Sequence, residues 1–439
     1  MQGPASIAVE GVAHQLARKR RGLSLFLLTL TYFFSYMDRQ ILAILQEDII
    51  RDLRLSDLQM GLIAGFAFAL FYAGLGMPVA WLADRTNRVR IIAVALAIWS
   101  GFTALGGLAM NFWHLLLARV GVGIGEAGSS PPSHSIIADL YPPEKRAGAM
   151  ALYSLGVGLG GAFGTMIGGT VAHFYGWRVA MFVIGLPGVL LALIVWMLVP
   201  EPPRGMSDAQ RAMEPGDRPR FTEGFRSLFR NPAAVHLVMA FTITSTIGYG
   251  HSAFGPSFLI RSFGFNKLEI ATYIAPFMAV LIAVAAVLSG RLADRLAKTR
   301  GLHAQSYMVA IMKMVALPFS VIFYLSTDTT VAIVCYFIGG FFAACYLGPT
   351  FALIQSEAPL RQRAMWAAIA LFVNNLIGLG IGPPLVGWIS DVLKPTYGQE
   401  SLRYAMFFFA AITPWAIFHY WRAGVLLRRQ TAATGGAAV

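Results

Sequence analysis

The chain has 439 residues, 57% of them hydrophobic and only 13% charged, with a formal net charge of +13. A soluble domain carries roughly a quarter of its residues as charges, so water is not the main solvent here. Apolar runs of about twenty residues recur, each long enough to cross a hydrocarbon core of about 30 Å as a helix. A β-barrel would alternate in segments of about ten residues, whereas Leu23 to Leu45 is almost continuously apolar, which leaves an all-α, polytopic membrane protein.

In chain order, residues 1–22 form a polar, cytosolic N-terminal segment with no cleavable signal pattern. Spans are expected at 23–46, 58–83, 90–110, 113–139, 147–173 and 178–199, which together make an N-terminal six-helix bundle over 23–199. Residues 200–232 carry Pro200, Glu201, Pro202, Pro203, Arg204, Arg211, Asp217, Arg218 and Arg220, too polar to insert, and read as a cytosolic linker. A C-terminal six-helix bundle over 233–426 follows, with spans at 233–260, 267–292, 303–326, 330–357, 364–391 and 401–426, and residues 427–439 form a cytosolic tail. The expected total is twelve transmembrane helices.

The distribution of basic residues sets the orientation. One set of loops holds only Arg51, Arg54, Arg178, Arg261, Lys267, Lys394 and Arg403; Arg39, Arg119 and Lys313 fall within spans; the rest of the 34 Lys and Arg lie on the side of the N-terminus. By the positive-inside rule both termini and the linker are cytosolic and the protein sits in the plasma (inner) membrane. Basic loops facing anionic lipid account for the net charge, so no nucleic-acid partner is implied. Cys335 and Cys345 lie within one apolar run and suggest neither a disulfide nor a metal site. No phosphate loop, metal cluster or nucleophile triad is apparent, so no enzyme and no cofactor are expected. His134 and Asp139 match an acyltransferase-like His-x-x-x-x-Asp pattern by chance, since five residues place them about 140° apart on a helix.

The two halves repeat. Trp81-Leu82-Ala83-Asp84-Arg85 closes span 2 and Arg291-Leu292-Ala293-Asp294-Arg295 closes span 8; Pro143-Glu144-Lys145-Arg146-Ala147 and Leu360-Arg361-Gln362-Arg363-Ala364 follow spans 4 and 10. Two pseudo-symmetric six-helix bundles with a cavity between them are the architecture of a rocking transporter.

Charges deep in membrane helices are costly and mark function. Asp38 in span 1 lies about 12 Å from the outer end and Arg119 in span 4 about 9 Å, while Glu126 follows Arg119 by two turns on the same face. Arg119 is expected to pair with Asp38 in one state and approach Glu126 in another, leaving the unpaired carboxylate to take a proton. Asp84, Arg85, Arg88, Arg146, Asp294, Arg295 and Arg363 are candidates for a cytosolic gate, with Asp84 pairing Arg146. Gly128 to Pro132 in span 4 and Gly248 to Pro256 in span 7 are expected to interrupt their helices. Tyr249, His251, Phe254, Tyr346, Asn374 and Asn375 are candidates for the cavity lining, and Lys313 is expected to snorkel or face a neighbouring helix.

At these residues the chain resembles the major facilitator superfamily. Its loop signature Gly-x-Leu-Ala-Asp-Arg-x-Gly-Arg-Arg is matched at Leu82, Ala83, Asp84, Arg85 and Arg88, although Ala80 and Asn87 replace its glycines. Gly160-Gly161-Ala162-Phe163-Gly164-Thr165-Met166-Ile167-Gly168-Gly169 is similar to the superfamily's antiporter signature, with Thr165 in place of its proline. Tyr36-Met37-Asp38-Arg39 and Gly121-Val122-Gly123-Ile124-Gly125-Glu126-Ala127 resemble the Spinster family of lipid transporters, whose animal members include exporters of sphingosine-1-phosphate and of lysophospholipids. The resemblance implies the major facilitator fold and a proton-coupled transporter of a small amphipathic, lipid-like substrate; a monomer is expected. It also implies export by proton antiport, with protons as the coupling ion. Symport of an organic anion is the alternative, followed distantly by a membrane-bound lipid-modifying enzyme or a substrate-sensing receptor.

Overall fold

The computed structural model describes residues 4–207, 221–359 and 362–435. Arg211, Asp217, Arg218 and Arg220 of the expected linker, and Leu360 and Arg361 of the second repeat, lie outside the described residues. Every regular element among the described residues is helical, and nine of the helices are long and apolar enough to cross a membrane. The last of these, Met365–Ala432, runs 68 residues through Gly398, whose φ of 55° divides it.

Helix α1 (Pro4–Leu53) begins well before the apolar run, because no proline follows Pro4 to stop it and the edge of the bilayer is not a helix boundary. Next come α2 (Asp57–Gly61), a π-helical turn (Leu62–Phe66), α3 (Ala67–Ala83) and α4 (Arg88–Gly106). The expected interruption of span 4 is present: α5 (Phe112–Glu126) stops, and α6 (Ser130–Leu140) restarts with prolines in its first turn, where their missing N–H costs nothing. Helices α7 (Pro143–Tyr175) and α8 (Trp177–Leu198) follow. Outside the spans, Arg178 and Trp177 donate to Asp52 at the end of α1, and these bonds hold its carboxyl below the usual range.

The expected linker contains a helix, α9 (Phe221–Arg230). Leu228 buries fully in the hydrophobic core that includes Ala234, Leu237 and Trp366, and Trp366 Nε1 donates to Ser227 at 2.9 Å. Helix α10 (Pro232–Phe263) is continuous, contrary to the expected break at Gly248 to Pro256. A single proline removes one backbone bond, which a membrane helix tolerates, and α10 ends instead at Gly264 in the left-handed region. Helix α11 (Lys267–Glu269), a π-helical turn (Ile270–Ile274) and α12 (Ala275–Arg300) come next, then α13 (His303–Leu325), α14 (Thr329–Ala344) and α15 (Leu347–Glu357). The chain ends with α16 (Arg363–Val373), a π-helical turn (Asn374–Leu379), α17 (Gly380–Tyr397), α18 (Ser401–Ala411) and α19 (Thr413–Gly435).

Two compact units result. The first comprises Met1–Leu55, Ala67–Gly216 and Lys267–Ala275, and the second Ser56–Phe66, Asp217–Asn266 and Pro276–Val439. The starts of spans 2 and 8 therefore belong to the unit opposite to the one expected from chain order. Ion pairs accompany both assignments. In the second unit, Arg261 grips Asp57 with two bonds of 2.7 and 2.8 Å, Ser390 adds a third at 2.7 Å, and Asp391 accepts from the Asp57 and Leu58 N–H groups. In the first unit, Lys267 pairs with Asp48.

The glycine row of span 5 serves close packing. A methyl group on Gly156 would stand 2.7 Å from the Thr29 carbonyl oxygen, one on Gly164 would stand 2.8 Å from the Met37 Cα, and one on Gly160 would overlap the Phe33 carbonyl. Four-residue spacing puts the row on one face of α7, so α1 lies backbone to backbone against it, as small residues allow in membrane helices. A methyl group on Gly158, in the same helix, would meet nothing within 4 Å. Gly160→Ala should therefore lower stability by about 1–3 kcal/mol, read as a fall in the thermal unfolding midpoint of the detergent-solubilised protein. Gly158→Ala should leave that midpoint unchanged.

Candidate functional site

Four charged side chains gather inside the first unit. Ser35 and Arg39 stand one turn apart on α1, and both turn toward Glu126, the last residue of α5. Glu126 Oε2 accepts from Arg39 Nε at 2.8 Å, from Arg39 Nη2 at 2.7 Å and from Ser35 Oγ at 2.8 Å. The carboxylate is 1% exposed, so the pair is held in a medium that screens little. Glycines set this depth. A methyl group on Gly123 would stand 2.7 Å from the Phe68 carbonyl oxygen, and one on Gly125 would stand 2.7 Å from the Trp99 nitrogen. Only their absence lets α5 bring Glu126 so far in.

Aromatic rings complete the cage. The Arg39 guanidinium lies 4.9, 4.8 and 4.7 Å from the ring centres of Tyr36, Phe68 and Tyr72, a geometry that stabilises a desolvated cation through the ring faces. Arg119 shares Phe68, at 5.4 Å. Asp38 is 2% exposed and lies within electrostatic reach of Arg119, Glu126 and Arg39, with Thr103 of α4 beside it. Among the described residues, Asp38 Oδ1, Arg119 Nε and Glu126 Oε1 are buried without a hydrogen-bond partner. Two carboxylates and two guanidiniums therefore balance in charge while three of their polar atoms remain unspent. Such a cluster can rearrange its pairing, or take a proton or a polar ligand, without leaving the interior.

Comparison with known proteins gives the family. The family model of the Major Facilitator Superfamily matches residues 28–383. An MFS-type efflux pump of Mycolicibacterium smegmatis is 31% identical over 431 residues, covering 98% of this chain and 99% of its own. The crystal structure of a bacterial homologue of the human lysosomal transporter Spinster, inward-facing and unoccupied, is 31% identical, with a TM-score of 0.85 over 93% of this chain and 98% of that one. The chain belongs to the Spinster type of the major facilitator superfamily. The sphingosine-1-phosphate transporter of Danio rerio is a more distant member, 26% identical over 391 residues, covering 84% of this chain and 76% of its own.

In this Spinster-type transporter the sequence pointed to Asp38, Arg119 and Glu126, and the fold brings all three together. The partner holding Glu126 differs from expectation. Arg39 takes that place, not Arg119, because Arg39 follows Ser35 by one helical turn and so shares its face of α1. The signal was present, since Arg39, like Arg119 and Lys313, is a basic residue well away from the ends of the expected spans.

The gate candidates scatter. Arg88, at the first turn of α4, is buried and donates to Asp139, to Ser135 at 2.8 Å, to Glu201 at 2.6 Å and to the Pro202 carbonyl at 2.7 Å. The Asp84–Arg146 pair is not formed. Arg146 turns to the carbonyls of Ala138 (2.8 Å) and Tyr141 (3.3 Å) at the end of α6, and Asp84 is exposed with no partner among the described residues. Arg85 instead stacks 3.9 Å over Trp81. Asp294 and Arg295 are exposed on α12, and Arg363 is exposed at the start of α16. His134 meets Tyr153 edge-on while Asp139 serves Arg88, so they form no dyad.

In the second unit, Phe254 is fully buried and therefore core, not lining. His251 is committed to the Met406 carbonyl at 3.2 Å and to the Tyr324 ring. Tyr249 and Asn375 are half-buried, and Asn374 is buried at the start of a π-helical turn. Tyr346 meets Ser245 through its hydroxyl at 3.3 Å. Lys313 does not snorkel: it is buried, and its Nζ donates to the Ala343 carbonyl at 2.8 Å.

Removing one partner of a buried ion pair strands the other charge. Arg39→Met should therefore cost about 3–5 kcal/mol, measured as loss of thermal stability in detergent. Adding Glu126→Gln should restore most of the loss, whereas an additive double variant would show that the two side chains do not act as a pair.

Proposed function

We propose that this transporter exports an amphipathic, lipid-like substrate of the lysolipid or sphingoid phosphate type by proton antiport and alternating access. The observation that carries the reading is the buried cluster of Asp38, Arg39, Arg119 and Glu126. A head group with both a cation and a phosphate suits it. The phosphate takes Arg119, and the cation takes the carboxylate that otherwise holds a proton. Substrate and proton then compete for one charge, which is the requirement for antiport. Asp38 is the proton site in this scheme, because Glu126 is already gripped by Arg39 and Ser35. Protons serve as the coupling ion and no cofactor takes part.

Two other findings favour the same reading: the glycine row of α7, which is similar to the antiporter signature, and the likeness to an efflux pump and to a sphingosine-1-phosphate transporter. We propose a working monomer in the plasma membrane; the basic loops read from the sequence favour cytosolic termini.

In vesicles with an imposed proton gradient, Asp38→Asn should reduce gradient-driven lysolipid transport at least tenfold while substrate exchange persists. Equal loss of both in folded protein would mean that Asp38 is structural. Gradient-driven transport of short carboxylates or sugar acids, with none of lysolipid, would replace the lipid exporter by an organic-anion symporter.

A further inference from the structure

The two units share a scaffold but not a charge. In the first unit α5 ends at Glu126 and α6 begins at Ser130; in the second α14 ends at Ala344 and α15 begins at Leu347. Ser130 and Leu347 are 217 positions apart, the spacing that also relates the two loop motifs after spans 4 and 10. The helix break is thus a repeated feature. At the first break, Glu126 meets Arg39 with Asp38 close by, and Asp38 has Thr103 beside it. Lys313 lies 210 positions after Thr103, the spacing of the loop signatures that close spans 2 and 8. The repeat therefore sets a lysine at the second break, in the place that adjoins the charge cluster at the first.

That lysine is poorly matched. It lies in the middle of α13, about 15 Å from the helix start, and is 6% exposed. Its ammonium has three donors. Its contacts are the Ala343 carbonyl at 2.8 Å and the face of Tyr346 at 4.4 Å, with Cys345 as its electrostatic neighbour. No carboxylate pairs with it among the described residues, in contrast to the balanced cluster of the first unit. A helix break needs no charge to satisfy one carbonyl, since a neutral donor would do so without the cost of a buried, uncompensated ammonium. Tyr346 covers the lysine and is itself only half-buried, tethered through its hydroxyl to Ser245 at 3.3 Å.

We infer that Lys313 is a binding site for the anionic group of the substrate head, with Tyr346 as its cover and the break between α14 and α15 as its seat. The inference rests on the proposed lipid-like substrate and adds to it a second station, in the other unit, for the same phosphate-type anion that Arg119 takes in the first. The missing counter-charge of the lysine is then supplied by the cargo.

Binding of lysophosphatidate and of uncharged monooleoylglycerol, which share a tail, should be measured on the purified full chain. Lys313→Gln should weaken lysophosphatidate binding about tenfold or more and leave monooleoylglycerol within about twofold, whereas Lys313→Arg should hold both near the wild-type affinity. Wild-type affinity of Lys313→Gln for lysophosphatidate would overturn the inference. So would equal loss of both probes in Lys313→Gln and Lys313→Arg, which would mark a lysine that only supports the fold. Failure of the wild-type chain to bind either amphiphile would sink the lipid reading itself, and this inference with it.

Discussion

A carboxylate taken out of water must find its compensation within a few ångströms, and Glu126 shows how much of the first unit is arranged to meet that demand. Its charge is met by the paired nitrogens of Arg39 and by the Ser35 hydroxyl, and the guanidinium is in turn faced by three aromatic rings. None of this could assemble if α5 stood a side chain's width further from its neighbours. Glycines at 123 and 125 allow the approach, and the row from Gly156 to Gly164 draws α7 against α1 in the same way. Helix packing and charge compensation are thus one problem with one solution. The cluster is left balanced in charge yet incompletely bonded, the state from which a small input can change its pairing.

The scaffold repeats more faithfully than the chemistry. Helix breaks recur at Ser130 and Leu347, and π-helical turns recur at Leu62–Phe66 and Ile270–Ile274, where an added residue per turn interrupts the regular ladder. Charge does not follow this repetition. The first unit encloses a neutral quartet, whereas the second encloses a lysine with no carboxylate partner among the described residues, beside the separate Asp57–Arg261 and Arg403–Glu400 pairs. The duplicated backbone thus carries different side chains at matched positions, Thr103 in the first unit and Lys313 in the second.

Much of this was legible from residue order. Long apolar runs gave the helical membrane class, and the rarity of charge within them singled out Asp38, Arg119 and Glu126, because such charges persist in hydrocarbon only when enclosed by protein. Glycine and proline at 128 to 132 foretold the break in span 4. The same residue types at 248 to 256 misled, since one proline in an apolar helix leaves most of the ladder intact. What could not be read was partner choice. The Arg39–Glu126 contact joins residues 87 positions apart, and the Asp57–Arg261 contact 204. Periodicity gives the face on which a side chain lies but not what stands opposite. Asp84 was expected to pair because signatures favour it, yet the carbonyls closing α6 lie nearer to Arg146. For Lys313 the long stem allows either snorkelling or a contact with a neighbouring helix, and the carbonyl offered at mid-span by the broken helix beside it decides for the contact.

In the proposed antiport, substrate and proton compete for the carboxylates of the first unit. The most direct measurement is of protons released into weakly buffered detergent solution when a zwitterionic lysolipid is added to the purified protein. Competition predicts proton release from the wild-type chain that saturates with lysolipid binding, and none when Asp38→Asn is titrated with the same ligand. Binding without proton release, or release undiminished in Asp38→Asn, would contradict it.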